Sequence, residues 1–85
     1  MIFEVRWQAS ARRDLKRLDP PVQKRLINAV DHFARTGEGD VVRLVNVMPP
    51  EYRLRVGDWR VRFAQDAERR LLDVLRVLWR DKAYR

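Results

Sequence analysis

The run YRLRVGDWRVRF, from Tyr52 to Phe63, constrains the fold more than any other part of the chain. Its arginines, Arg53, Arg55, Arg60 and Arg62, alternate with Leu54, Val56, Val61 and Phe63 around a central Gly57-Asp58. Strict apolar–polar alternation marks a half-buried strand, and a two-residue Gly-Asp link between two such runs marks a hairpin. With Gly57 and Asp58 as the turn, Val56 faces Trp59, Arg55 faces Arg60 and Arg53 faces Arg62. Side chains on a strand alternate with period two, so all four guanidinium groups share one sheet face. Tyr52, Leu54, Val56, Trp59, Val61 and Phe63 form the other face, which is the core.

Like charges directly opposite one another destabilise a sheet by a few tenths of a kcal/mol or more per pair. One reading of this tolerated cost is a solvated face on which long side chains splay apart. The other is a preformed anion site, for which arginine is well suited: the planar guanidinium matches phosphate oxygens bidentately and stays charged at physiological pH.

At 85 residues the chain reads as one small domain spanning 1–85, near the size at which a single core is only marginally sufficient. Its 46% hydrophobic content and three Trp argue against disorder despite 36% charged residues. The net charge is +7, of which residues 43–85 carry +5. Such a balance predicts attraction to nucleic acid, an anionic membrane surface or an acidic protein, without choosing among them. The absence of Cys removes disulfides, thiolate zinc sites and a Cys nucleophile together, and fits a cytoplasmic location. Glu4 and Arg6 interrupt the apolar N-terminal stretch, so it reads as a first strand, Ile2 to Trp7, and as neither a signal peptide nor a membrane span.

Ser10 is placed to N-cap a short helix, ARRDLKRL, with Ala11, Leu15 and Leu18 inward and Arg12, Arg13, Lys16 and Arg17 outward. Asp19 and Pro20 then start a longer helix striped by Val22, Leu26, Ala29, Val30 and Phe33 and closed by Thr36-Gly37-Glu38-Gly39. From Val41 to Glu51 the chain has strand-like residues, but Pro49-Pro50 forbids a continuous strand, so the segment reads as a connection. Asp66 to Arg69 is a second turn, and LLDVLRVLWR, Leu71 to Arg80, is apolar on both faces as a central strand should be. The expected fold is α+β: an N-terminal strand, a two-helix hairpin, then a three-stranded antiparallel meander, all in one small sheet. The first and last strands are expected to be adjacent and parallel, with the helices as crossover.

This order of elements, the helix ARRDLKRL, the hairpin YRLRVGDWRVRF and the ending RVLWRDKAYR together resemble the RelE/ParE superfamily of toxins from bacterial type II toxin–antitoxin systems, the RelE-like branch in particular. The resemblance implies a RelE-like microbial ribonuclease fold and ribosome-dependent cleavage of messenger RNA in the A site. The 2′-hydroxyl of a nucleotide would attack its own 3′ phosphate, with no cofactor and no metal. By similarity the catalytic set is Arg53, Arg55, Arg60, Arg80 and Tyr84. Arg60 and Arg80 would hold the scissile phosphate, Arg53 and Arg55 would neutralise backbone and developing charge, and Tyr84 would stack on a base or assist proton transfer. Arg62, Lys82, Arg12, Arg13, Lys16 and Arg17 are candidate RNA contacts. The helix residues among them also fit a plain solvated face.

Two positions depart from the family pattern. Many relatives carry a His immediately before the C-terminal Arg, where this chain has Trp79, and some carry Lys in place of Arg53 and Arg55. Tyr84, whose phenol near a positive cluster would titrate below its usual range, is the remaining candidate base. His32 lies beside the core stripe of the second helix and reads as a boundary residue. Trp59 reads as core, and Trp79, spaced with Leu75 and Val77, as packing. The resemblance further implies an acidic antitoxin partner in a hetero-oligomer, with ribosome and messenger RNA as targets. Two alternatives stay open: a ParE-like DNA gyrase inhibitor of the same fold, and a non-catalytic cationic module that binds RNA or protein.

Overall fold

A computed structural model describing residues 2–82 places seven elements along the chain: β1 (Glu4–Trp7), α1 (Ala9–Lys16), α2 (Pro20–Thr36), β2 (Asp40–Arg43), β3 (Tyr52–Val56), β4 (Trp59–Asp66) and β5 (Leu71–Trp79). The strands form one sheet in the order β1-β5-β4-β3-β2, antiparallel except for the parallel β1–β5 pair. The hairpin register follows the alternation residue by residue: Arg55 opposes Arg60, Arg53 opposes Arg62 and Val56 opposes Trp59.

α2 forms where its punctuation places it. Asp19, extended at φ −62°, precedes Pro20 in the first turn, and Gly37 ends the helix in the left-handed region at φ +76° with its N–H on Phe33 O. That closure is open to glycine without the Cβ penalty other residues meet there. Leu26, Val30 and Ala34, spaced four apart, are buried against Leu54, Val56, Val61, Phe63, Leu72, Val74 and Val77 of the sheet. Phe33 packs on Phe63 with ring centroids 5.4 Å apart. The core therefore lies between α2 and one sheet face, and the arginines occupy the other.

Three expectations need correction. The segment after α2 contains a strand: β2 pairs with β3 from Asp40–Arg55 to Arg43–Tyr52, giving five strands where four are expected. Pro49 and Pro50 lie well past Arg43, where the strand ends, so they do not bear on its pairing. The first strand starts at Glu4 instead of Ile2.

Ser10 is not the cap of α1 either; Gln8 holds that position without a side-chain hydrogen bond. The reason lies in β5, which outruns β1, since their pairing stops at Trp7–Val74. Beyond that point α1 takes the missing strand's place. The Ser10 hydroxyl donates to Leu75 O at 2.7 Å, and the Val77 N–H donates to Asp14 Oδ2 at 2.8 Å. An exposed sheet edge is a template for unwanted pairing, and covering it with a helix is one remedy.

β5 also carries a bulge. Arg62 opposes Arg76, but Phe63 opposes Val74, so Leu75 is extra. Buried positions consequently step from Leu72 and Val74 to Val77, and Leu75 leaves the face that Val77 and Trp79 share. This re-phasing explains why the run is apolar at both parities.

Candidate anion-binding face

Arg53 and Arg55 from β3, Arg60 from β4, and Asp40 and Val42 from β2 line one cleft of about 160 Å³ on the arginine face. The repulsion expected between facing guanidinium groups is relieved in two ways. Asp40 Oδ2 stands 3.9 Å from Arg55 Nη1. Arg60 folds back onto its own turn, where Nη1 donates to Gly57 O at 2.9 Å and to Trp59 O at 3.0 Å. With 8% of its surface exposed, Arg60 is the buried charged residue of the described chain. Those two bonds occupy both hydrogens of Nη1, which leaves Nε and Nη2 as its donors for a ligand.

The turn itself is exposed, with the end of the Arg25 side chain of α2 beside it. Gly57 has φ +59°, and a Cβ there would lie 2.8 Å from Arg25 Nη2 of α2. Glycine is favoured here by the left-handed backbone, and the guanidinium of Arg25, at the end of a flexible side chain, lies close by.

The remaining cationic residues lie elsewhere. Arg62 donates from Nη2 to Glu51 Oε1 at 2.6 Å, both side chains being largely buried, and its Nε is buried without a partner among the described residues. Arg80 follows β5; its N–H donates to Asp58 O at 2.9 Å and its Nη1 lies 3.5 Å from Asp58 Oδ1. Lys82 is exposed in the turn that follows, its N–H on Trp79 O. Tyr84, the expected base or stacking group, lies outside the described residues. Arg12, Arg13, Lys16 and Arg17 are exposed on or just after α1, which packs on β5 and not on the strands lining the cleft. Arg12 instead borders a separate hollow with Arg6, Trp7 and Gln8.

Farther along the same sheet face, Arg6 donates from Nε and Nη2 to the Asp73 carboxylate at 2.9 and 3.3 Å, and Gln8 adds a third bond at 3.0 Å. Arg76 donates to Asp14 in the same two-pronged manner, at 2.8 and 3.3 Å. The bond to Asp73 raises the Arg6 pKa above its ordinary value, and the bond to Asp14 does the same for Arg76.

His32 is exposed on α2, away from the cleft. Trp79 packs edge-on against Trp59 at 5.1 Å and remains partly exposed. Among the described residues, no three His, Cys, Asp or Glu side chains gather as metal ligands would. No helix there is long and apolar enough to cross a membrane.

Sequence reasoning passed over Asp40, Glu51 and Asp58 as partners of this face. Asp58 was legible as a turn residue, but its link to Arg80 depends on where β5 ends. Glu51 sat in a stretch read as a connection.

The model of the ParE toxin of type II toxin–antitoxin systems, parDE, matches residues 5–84. The chain belongs to that family. It is therefore a toxin of the RelE/ParE superfamily. A comparison with curated protein sequences finds no match. Among solved structures, it is similar to the RelBE2 toxin–antitoxin complex from Mycobacterium tuberculosis, with a TM-score of 0.76, 26% identity, and 94% of this chain and 100% of that chain covered. The archaeal RelE–RelB complex from Pyrococcus horikoshii OT3 shares the fold with a TM-score of 0.78, 21% identity and coverage of 94% and 97%. So does the RelB–RelE complex from Methanococcus jannaschii, with a TM-score of 0.72, 20% identity and coverage of 92% and 93%.

Proposed function

We propose that this toxin is a metal-independent, ribosome-dependent endoribonuclease that cleaves messenger RNA in the A site through attack of a 2′-hydroxyl on the adjacent phosphate. The observation that carries the reading is the cleft: three arginines from facing strands line one hollow, a cationic lining that suits a phosphate. In-line attack builds negative charge on a phosphorane, and preorganised donors aimed at that charge are worth most where they need not reorganise. Arg60, fixed by two backbone carbonyls, is such a donor. Arg53 and Arg55 add charge from the neighbouring strand, and Arg80 closes on the phosphate from the chain end. Tyr84 is the candidate for proton transfer or base stacking, and ribosomal orientation of the RNA supplies the remainder of the rate. Lys82 and the α1 cations Arg12, Arg13, Lys16 and Arg17 extend the contact to RNA phosphates, whereas Arg62, expected from the sequence to join them, is held by Glu51 instead. The reaction is cytoplasmic, and the whole chain, 1–85, acts as one domain.

The partner that silences it is an antitoxin, as in the RelB–RelE and RelBE2 complexes. Acidic side chains are the chemistry that meets the cationic half of the chain.

A second reading is favoured by the family match itself: inhibition of DNA gyrase without cleavage. Mapping of messenger RNA 5′ ends after brief induction without the antitoxin separates the two, with an Arg60→Ala, Arg80→Ala chain as control. New ends inside translated codons, lost in the control and lost when translation is blocked, are the expected result. Growth arrest with intact messages and reduced supercoiling would transfer the assignment to gyrase.

A further inference from the structure

One turn touches both of the arginines assigned above to a single phosphate. Gly57 O and Trp59 O fix Arg60 from one side. The next residue, Asp58, meets Arg80 twice, through its carbonyl at 2.9 Å and its carboxylate at 3.5 Å. The Arg80 contact is built into the architecture: Trp59 opposes Trp79 in the last rung of the β4–β5 ladder, so the residues just outside that rung, 58 and 80, come face to face. The edge-on Trp59–Trp79 pair closes the rung from the other side of the sheet. Turn chemistry favours Asp or Asn after a left-handed glycine about equally, so it does not by itself select the carboxylate. A carboxylate beside a cationic site also works against anion binding, by charge alone.

We propose that Asp58 is a positioning residue for the proposed reaction, holding Arg80 beside the turn that also fixes Arg60 so that both guanidinium groups reach the same phosphate. This rests on the endoribonuclease reading. Its physical content is a trade: Asp58 lowers general affinity for polyanions and raises the rate of the step that needs Arg80 in place. Misplacement of a catalytic group by about 1 Å is enough to cost up to two orders of magnitude in rate.

The test is Asp58→Asn, which keeps the size, the turn preference and the backbone carbonyl and removes the charge. Cleavage is measured on ribosomes programmed with messenger RNA, with Glu68→Gln, in the opposite turn, as the charge-matched control. The expected result is a roughly tenfold fall in maximal rate with half-saturation unchanged or improved. Asp58→Glu should restore part of the rate, and the thermal midpoint should move by no more than about 2 °C. Asp58→Asn should have no further effect in an Arg80→Ala background. A wild-type rate, a gain in rate, or a second tenfold loss on top of Arg80→Ala overturns the proposal. If the unmodified toxin cuts nothing on ribosomes, the endoribonuclease reading fails separately. The cycle is then run on affinity for a short single-stranded RNA. An Asp58→Asn effect that vanishes in the Arg80→Ala background upholds the link, and one that persists unchanged overturns it.

Discussion

The two ends of the arginine face hold cations of the same kind in different ways. At the β1–β5 side and beneath the β2–β3 loop, Arg76, Arg62 and Arg6 lie 2.6 to 2.9 Å from carboxylates that are themselves mostly buried, with Asp14 11%, Glu51 19% and Asp73 23% exposed. At the hairpin end, Arg55 and Arg80 lie 3.9 and 3.5 Å from Asp40 and Asp58, which are 63% and 57% exposed. A buried carboxylate needs its cation, and loss of one member of the pair strands the other. An exposed pair contributes about 0–1 kcal/mol to stability, so it can orient a cation toward a ligand without the fold depending on it. The number of arginines on a face is thus a poor guide to the number available for a ligand. The burial of their counter-ions sorts them better.

The largest consequence falls on the cleft. Arg60→Ala removes a donor fixed by two carbonyls and should reduce cleavage in a translation reaction by about 100-fold or more, the usual loss for one preorganised donor. A reduction below tenfold would show that the hairpin end is not where charge is stabilised. Next comes stability at the other end. Asp14→Ala deprives Arg76 of its partner and leaves the Val77 N–H unpaired, and should cost about 2–3 kcal/mol in urea unfolding. Asp40→Ala should stay within about 0.5 kcal/mol. Equal costs would erase the distinction between the two ends.

A smaller effect sharpens it. Affinity for single-stranded RNA should fall with salt, and Arg55→Ala should flatten the slope of log K against log salt by about 0.7. Arg6→Ala, whose charge Asp73 already neutralises, should leave the slope nearly unchanged. Matching changes would mean that RNA reads total charge and ignores how each cation is held.

Much of this contrast was hidden in the sequence, for identifiable reasons. The hairpin was legible because alternation and a Gly-Asp turn fix both register and face, and the register carried Arg53, Arg55 and Arg60 to one place. α2 was legible through Asp19-Pro20 and Gly37. β2 was missed because a four-residue edge strand presents too short a pattern to separate it from the proline-containing stretch that follows. The Ser10 cap was misjudged since its hydroxyl serves a strand 65 residues away, a demand that no local motif encodes. The same distance rule governs the site. Asp14 with Arg76, and Asp73 with Arg6, are long-range pairs, so a linear reading lists their charges without pairing them.

The smallest effect concerns pH, and its sign follows from the two raised arginine pKa values. Asp73 holds the Arg6 proton more tightly in the folded chain than in the unfolded one, and Asp14 does so for Arg76. A group whose pKa is raised by folding contributes stability that is fully present below its unfolded value and disappears as pH climbs through the folded value. For arginine both lie above any pH at which the toxin is handled. The stability difference between the unmodified chain and Asp14→Asn should therefore be constant from pH 7 to about pH 10, measured by urea unfolding at each pH. A difference that shrank across that range would mean that a second group, titrating there, shares Asp14 with Arg76. The pair would then belong with the loosely held cations of the hairpin end.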